Sequence, residues 1–390
     1  MLKKILKKYL GDKYKYLRFK KILEILFNKK FKYSYTKSKI LQINLDKKIS
    51  NQKIITKERG FVLNFIKDNF FSYHLRPKLS NNFKLESNCL VKENFAIIIQ
   101  GPIKDLYIFL LETLNIYKKI FTNSIFIIST WDDEDVNKIK NLEDEKTFVI
   151  FNNIPNPSPF NIDHQTKSTF EALKFAKNKN IKYCIKTRID TRIYKNNLES
   201  LVVSLISLFP LDTNISKIKS RIILPSLGTF KYRLFGISDI VMIGDTDDLM
   251  IYFDSEPYYQ GIKKYFNKDD IKFCKNVPYA NHTPIVAEVF LCSRFILKME
   301  NQIKWNLDFN WKIIRDYFCI IDNSMMDIFW YKYEWQYEYR SIRTYAHSIS
   351  RGLDFSEWLS LYKNHQINWK KISTEHEKYD ENQNLLNFKN

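Results

Sequence analysis

The chain has 390 residues, of which 45% are hydrophobic and 27% charged, a composition that supports a packed core and excludes a wholly disordered protein. The formal net charge is +20, but residues 1–60 hold 19 basic and 4 acidic side chains, so the remainder is nearly balanced. The glycines form neither the dinucleotide-binding nor the Walker phosphate-loop pattern, and no apolar stretch has the ~18 residues of a membrane span.

The N-terminal segment, residues 1–90, is predicted to be basic and amphipathic. Apolar residues recur at helical spacing over residues 1–10 and 16–26, and lysines and arginines occupy the other positions. Such helices suit an anionic membrane surface, and we expect residues 1–40 to bind one. Packing of both helices on the core would explain the same pattern. No recognised reading motif accompanies the charge, so nucleic acid is not expected as a partner.

Short apolar runs alternate with helical patterns between residues 91 and 300. Strands are predicted at residues 95–99, 124–128, 146–151, from 183 onward, 221–224 and 240–243, and helices after residue 102 to about 120, at 132–142 and at 164–176. Three prolines between residues 152 and 161 predict a loop. The alternation predicts an α/β domain with a mostly parallel sheet flanked by helices.

Aromatic residues cluster among charged ones after residue 300. This region, residues 301–390, is predicted to be largely helical and to pack on the core. The cysteines are odd in number, far apart and without a C-x-x-C pair, so reduced thiols in the cytoplasm are expected. The histidines form no H-x-x-x-H pair, and therefore no zinc site is predicted.

Charged residues follow the predicted fourth strand, at the end of the sheet where open α/β folds bind their ligands. Because side chains alternate along a strand, Lys186, Arg188, Asp190 and Arg192 are predicted to share one face. Three cations around one carboxylate suit a diphosphate, although an ordinary salt-bridged strand end has the same composition.

Polar side chains also share one side of the helix that follows the proline loop. Gln165, Ser168 and Thr169 are spaced i, i+3 and i+4, so they face one way near the helix N-terminus. Helix N-termini carry partial positive charge and free N–H groups, which suit an anion. Capping and solvation of the helix are the alternative interpretation.

Four short motifs occur in an order that resembles a known family. They are Phe95 to Ile103 (FAIIIQGPI), Ile127 to Asp132 (IISTWD), Asn161-x-x-x-Gln165-x-x-Ser168-Thr169, and Lys186 to Ile193 (KTRIDTRI). Together with Ser238-Asp239 and Glu288, they resemble the WavE family of bacterial lipopolysaccharide and capsule synthesis proteins over about residues 95–340. The resemblance implies a GT-A-like (Rossmann-like) fold and a glycosyltransferase activity.

The resemblance further implies a nucleotide-sugar donor and a capsule or lipopolysaccharide glycan as acceptor. The donor residues that it implies are Gln100, Gly101, Pro102, Thr130, Gln165, Thr169, Lys186, Arg188, Asp190 and Arg192. Asp190 would be the ligand of an Mg²⁺ or Mn²⁺ ion. Asp190-Thr191-Arg192 replaces the usual Asp-x-Asp, however, so metal use stays open and Arg192 could supply the charge instead. Replacing Asp190 by alanine is expected to abolish transfer at little cost in stability, as for an exposed strand end.

Two carboxylates after the donor motif could act as the catalytic base of an inverting transfer. Glu288 is preferred because it opens an apolar helical stretch, as the base of such enzymes commonly does, and Asp239 is the alternative. A retaining mechanism would need neither. The expected location is the cytoplasm, with peripheral attachment to the inner face of the inner membrane. The competing functions are a capsule nucleotidyl- or phosphotransferase and a basic protein without enzyme activity that docks on a membrane or nucleic acid.

Overall fold

The computed structural model describes residues 76–85, 91–215, 217–231, 233–254, 256–268, 286–331 and 352–364. The chain divides into two compact units, residues 1–77 with 333–341 and residues 78–332 with 342–390. Of the first unit only residues 76 and 77 are described, so the fold below is that of the second. The predicted amphipathic helices of residues 1–40 lie outside the described residues. The division into residues 1–90, 91–300 and 301–390 stays a prediction.

Strands and helices alternate over most of the described chain, as the apolar pattern predicts. In chain order they are β1 (Phe95–Gln100), α1 (Tyr107–Ile120), β2 (Ile125–Trp131), α2 (Val136–Lys140), β3 (Thr147–Asn152), α3 (Ile162–Asn178), β4 (Tyr183–Arg188), β5 (Thr191–Ile193), α4 (Leu198–Leu208), β6 (Ile222–Pro225), β7 (Met242–Asp245), α5 (Thr246–Tyr252), α6 (Tyr258–Tyr265), α7 (Ala287–Glu300), α8 (Leu307–Tyr317), β8 (Phe318–Ile321), α9 (Asn323–Met326), β9 (Ile328–Trp330) and α10 (Phe355–Asn364). The strands predicted from residue 95 to residue 243 lie within a few residues of their expected bounds.

The main sheet has the strand order β3-β2-β1-β4-β7-β6-β8 within the described residues. The pairs β1–β2, β1–β4, β2–β3 and β6–β8 are parallel, whereas β7 runs antiparallel to both β4 and β6. Strands β5 and β9 form a separate antiparallel pair. This mostly parallel sheet, flanked by helices, confirms the predicted α/β class.

Continuous apolar strands place the main sheet at the centre of the unit. Residues 96–99 of β1 are fully buried, and a strand buried on both faces requires helices on both sides of the sheet. Helix α3 packs on one face, where the Ser168 hydroxyl donates to the Gln100 side chain. On the other face, Tyr117 of α1 lies close to Thr187 of β4. The carboxyl ends of β1, β2, β3 and β4 meet at one edge of the sheet.

The C-terminal region contributes strands as well as helices, and the sequence pattern did not predict these strands. Strand β8 pairs with β6 and forms an edge of the main sheet. Trp358 of α10 is buried and donates from Nε1 to the carbonyl of Phe318, 2.8 Å away. None of the described helices has the length and hydrophobicity needed to cross a membrane.

Candidate functional site

Three polar side chains form a row across the carboxyl edge of the main sheet. Ser129 of β2 and Arg188 of β4 are both in register with Gln100 of β1, so the three side chains project from the same face. Ser168 of α3 forms hydrogen bonds with two of these side chains. Its hydroxyl donates to Gln100 Oε1 at 3.0 Å, and its carbonyl accepts from Ser129 Oγ at 2.7 Å. The predicted site residue Gln100 therefore lies on the α3 face of the sheet.

The turn after β1 has a backbone conformation that favours glycine. Gly101 has a φ angle of +125°, which residues other than glycine rarely adopt. Its N–H donates to the Ser129 carbonyl at 3.0 Å. Pro102 follows and is exposed. The Glu134 carboxylate holds the next two backbone N–H groups, those of Ile103 and Lys104, at 2.7 and 3.0 Å. Gly101 and Pro102 thus lie at the sheet edge, as predicted.

Helix α3 brings one of its two predicted donor residues to the site. Gln165 is half-buried, and its side-chain amide donates to the Asp239 carboxylate, which joins the helix to the loop before β7. Thr169 is fully buried, and its hydroxyl has no partner among the described residues. A contact between Thr169 and a bound donor would therefore need a rearrangement of the helix, whereas Gln165 borders the site directly.

Thr130 lies on the opposite face of the sheet from the row described above. Its neighbour Ser129 points toward α3, and successive side chains of a strand alternate. Thr130 is also fully buried. The structure therefore does not bring Thr130 together with Gln100 and Arg188.

The four charged residues after residue 185 do not share one face, which corrects the sequence prediction. Strand β4 ends at Arg188, and a turn at residues 189–190 separates it from β5. Backbone contacts from elsewhere fix this turn: Ile189 N–H donates to the Gln100 carbonyl at 3.0 Å, and Tyr331 N–H donates to the Asp190 carbonyl at 2.8 Å. The alternation assumed for a continuous strand is broken there.

Lys186 is buried beneath the site. Its ammonium group donates to the backbone carbonyl of Asp239 and lies 5.2 Å from the ring centre of Phe253. Burial, with a smaller contribution from the charge of Arg188, lowers the pKa of Lys186 to about 8, although the negative charge of Asp239 opposes the shift. Lys186 therefore holds the loop before β7 through the Asp239 carbonyl, and it is too deeply buried in this conformation to contact a ligand.

Arg192 is a structural cation on the other side of the sheet. Its guanidinium donates to Thr113 Oγ1 at 2.9 Å and to the carbonyls of Lys78 and Phe109 at 2.9 and 3.1 Å. It also lies 4.3 Å from the ring centre of Phe109. Because these contacts hold Arg192 under α1, the expectation that it replaces a metal ion at the donor is wrong.

Arg188 and Asp190 remain at the carboxyl edge as an ion pair. Arg188 donates from Nε and Nη2 to the two Asp190 oxygens at 2.8 and 3.0 Å, and Trp330 Nε1 donates to the same carboxylate at 3.2 Å. The Arg188 side chain is 29% exposed, whereas Asp190 is buried. The expectation of an exposed Asp190 is therefore wrong, and Arg188 is the accessible cation of the predicted four.

The described residues contain no group of three or more His, Cys, Asp or Glu side chains that could hold a metal ion. Asp190, the expected ligand, accepts hydrogen bonds from Arg188 on both oxygens. Mg²⁺ and Mn²⁺ prefer oxygen ligands with free lone pairs. The described residues therefore offer no preformed set of protein ligands for a divalent ion.

Both predicted bases lie near the same point. Asp239 is buried, and this burial is the main cause of its raised pKa. The negative charge of Glu288 raises the pKa further, whereas the positive charges of Lys186 and Arg188 lower it. Glu288 lies in the first turn of α7, and its side chain is 32% exposed. The structure thus brings together the charges of Lys186, Arg188, Asp239 and Glu288.

Sequence reasoning missed one charged residue of the site. Arg233 is buried in the loop between β6 and β7, and its Nη2 lies 3.8 Å from Glu288 Oε2. No periodic pattern marks this loop. Gly236 makes room for Arg233, since a Cβ atom there would come within 2.6 Å of Arg233 Cδ, but this contact is visible only in three dimensions.

A family model described as WavE lipopolysaccharide synthesis matches residues 95–384. No curated protein matches the chain. Among solved structures, a candidate glucose-1-phosphate thymidylyltransferase from Bacillus anthracis, in complex with a sucrose, is 9% identical with a TM-score of 0.28, over 43% of this chain and 77% of that chain. A similarity of this degree supports no conclusion about fold or activity.

Proposed function

The chain belongs to the WavE lipopolysaccharide synthesis family, and from this premise we propose that it is a GT-A-type glycosyltransferase. It would move a sugar from a nucleotide-sugar donor to a lipopolysaccharide or capsule glycan. The observation that carries the proposal is the polar site at the carboxyl edge of β1 and β4. There an accessible arginine, Arg188, and a partly exposed carboxylate, Glu288, both lie within electrostatic range of the buried Asp239.

Arg188 is the proposed contact to the donor diphosphate. Its Nε and Nη2 atoms are held by Asp190, which fixes the plane of the guanidinium at the carboxyl edge of the sheet. A guanidinium held in this way gives charge-assisted hydrogen bonds to phosphate oxygens without a large loss of side-chain entropy. The same charge would stabilise the nucleoside diphosphate as it leaves the sugar. The turn at Gly101 and Pro102, together with Gln100, would border the nucleotide.

Glu288 is the proposed base that takes the proton of the acceptor hydroxyl. Its carboxylate is accessible, whereas Asp239 is buried and receives the amide N–H of Gln165 on one oxygen. Access decides between them because a general base must come within hydrogen-bond reach of the proton that it removes. Asp239 is proposed as a positioning residue that orients Gln165 and, through its carbonyl, Lys186.

The proposed transfer does not require a divalent ion, because Arg188 supplies the positive charge and engages both oxygens of Asp190. Full activity in excess EDTA is therefore expected. Peripheral binding to the inner membrane surface through residues 1–40 remains part of the proposal, and those residues lie outside the described part of the chain.

Mass spectrometry of the full-length protein with a panel of nucleotide sugars tests the proposed activity. The expected result is release of the free nucleotide from one donor and, with a glycan acceptor present, a product that gains one sugar mass. A product that gains a phosphate would indicate a phosphotransferase instead. Neither turnover nor nucleotide-sugar binding would leave a non-enzymatic basic protein as the better account.

A further inference from the structure

Arg233 differs from the other buried cations that the structure describes. The guanidinium of Arg233 donates no hydrogen bond to any described residue, although the residue is only 6% exposed. Each of the other buried cations donates to a named oxygen. These are Lys186, Arg192, Arg221, Lys231 and Arg294.

A buried charge without hydrogen bonds is costly, and proteins therefore pair such groups. The nearest carboxylate oxygen, Glu288 Oε2, lies 3.8 Å from Arg233 Nη2, which is beyond hydrogen-bond distance. Arg233 Nε is shielded from solvent and has no partner among the described residues. Because Nε is shielded, an anion would reach the guanidinium through Nη1 and Nη2, beside the carboxylate that is the proposed base.

The loop that carries Arg233 is built to hold the side chain in place. Asn310 Oδ1 accepts the N–H of Phe235 at 2.7 Å, and Trp311 Nε1 donates to the carbonyl of Lys231 at 3.0 Å. Gly236 makes room for the arginine, because a Cβ atom there would lie 2.6 Å from Arg233 Cδ. A fixed loop reduces the entropy lost when a ligand binds.

We propose that Arg233 binds a carboxylate or phosphate group on the acceptor glycan, so that the acceptor is an acidic sugar. This inference rests on the proposed function, which places the acceptor hydroxyl at Glu288. The position beside Glu288 favours the acceptor over the donor diphosphate, whose proposed contact is Arg188 at the strand end.

Calorimetry with full-length protein tests the inference with defined probes. D-glucuronate and D-glucose 6-phosphate are the acidic probes, D-glucose is the neutral control, and UDP, GDP and dTDP report on the donor site. The wild type should bind the acidic sugars more tightly than glucose. Arg233→Met should weaken acidic-sugar binding at least tenfold and leave nucleoside diphosphate binding within twofold.

Other outcomes overturn the inference. Unchanged acidic-sugar binding in Arg233→Met, or no preference of the wild type for acidic sugars, would contradict it directly. Weaker nucleoside diphosphate binding would assign Arg233 to the donor site instead. If acidic-sugar binding depends on Arg233 but no nucleotide sugar is turned over, the proposed function fails while the anion site stands.

Two further measurements separate ligand binding from a structural role. Arg233→Met should change the Tm little, because Arg233 makes no hydrogen bond and loses only a 3.8 Å ion pair with Glu288 and a contact with the Phe230 ring, whereas Arg192→Met should lower the Tm by several degrees. Glu288→Gln should tighten acidic-sugar binding by removing the competing negative charge. A Tm lowered in Arg233→Met as much as in Arg192→Met would overturn the inference, as would weaker binding in Glu288→Gln.

Discussion

Arg188 and Asp190 form a two-point ion pair at the end of β4, with nitrogen–oxygen distances of 2.8 and 3.0 Å. Only the arginine of the pair is accessible to a ligand, since Asp190 is buried and also accepts the indole N–H of Trp330. The pair therefore presents a fixed guanidinium at the carboxyl edge of the sheet, which is the feature that the proposed donor site needs.

The geometry of Arg188 is tested by Arg188→Lys, which keeps the positive charge and removes the planar guanidinium. We expect the Kd for the donor to rise about tenfold, as for the loss of one charge-assisted hydrogen bond. Equilibrium binding of the nucleotide sugar found in the activity screen measures the effect. Arg315→Lys is the matched control, because Arg315 pairs with Asp316 through Nε at 2.6 Å in α8 and is not proposed to contact a substrate. Equal Kd values for wild type and Arg188→Lys would contradict the assignment.

Asp190→Ala should destabilise the fold as well as impair transfer. The substitution leaves Arg188 and the Trp330 indole without their acceptor, so we expect the free energy of unfolding to fall by about 1–3 kcal/mol. Urea denaturation measures the loss. The control Glu171→Ala breaks an exposed pair with Lys174 and should cost less than about 1 kcal/mol. An equally small decrease in unfolding free energy for Asp190→Ala would contradict a stabilising role for the buried ion pair.

Asp248 should make stability depend on pH between about 4 and 6. Burial raises the pKa of Asp248 to about 6, although the N–H groups of Lys219 and Ser220 oppose the shift. The folded state therefore binds a proton that the unfolded state has released, and stability falls as the pH rises through this window. The difference in unfolding free energy between wild type and Asp248→Asn should change by roughly 1–3 kcal/mol across it. If the unfolding free energies of wild type and Asp248→Asn instead changed with pH in parallel, Asp248 would not be the cause of the pH dependence.

Residues 1–40 are predicted to attach the protein to anionic membranes. Deleting them should release the protein from vesicles that contain phosphatidylglycerol, and the full chain should dissociate as salt rises, because screening weakens the attraction. Replacing Lys3, Lys4, Lys7 and Lys8 by glutamine should weaken vesicle binding about a thousandfold, at about 1 kcal/mol for each lysine. Vesicle binding whose affinity changes neither with salt nor with these substitutions would favour the alternative, in which the helices pack on the core.

Local patterns were sufficient to predict the sheet and most of its strands. The apolar runs at β1 and β2 are continuous because both faces are buried, and such runs can be recognised without knowledge of the fold. The short strands β8 and β9 could not be recognised in this way, since they lie in an aromatic-rich region where helix and strand patterns are alike. Their pairing with β6 and β5 is a long-range contact.

The site was predicted in part. The period-two rule placed Lys186 and Arg188 correctly on one face, but it was extended past residue 188, where no glycine or proline marks the turn. Backbone hydrogen bonds from Gln100 and Tyr331 set that turn, and these contacts come from distant parts of the sequence. Arg233 could not be predicted for a related reason, because its lack of hydrogen-bond partners is visible only in three dimensions.

The central claim, that this site transfers a sugar with Glu288 as the base, is tested most directly by the kcat of Glu288→Gln at saturating donor and acceptor. We expect kcat to fall by several hundredfold while the donor Kd is kept, as for the loss of a general base. Glu300→Gln, at the other end of α7, is the matched control and should keep the wild-type kcat. A Glu288→Gln variant with near-normal kcat would contradict the claim, and a comparable loss confined to Asp239→Asn would transfer the role of base to Asp239.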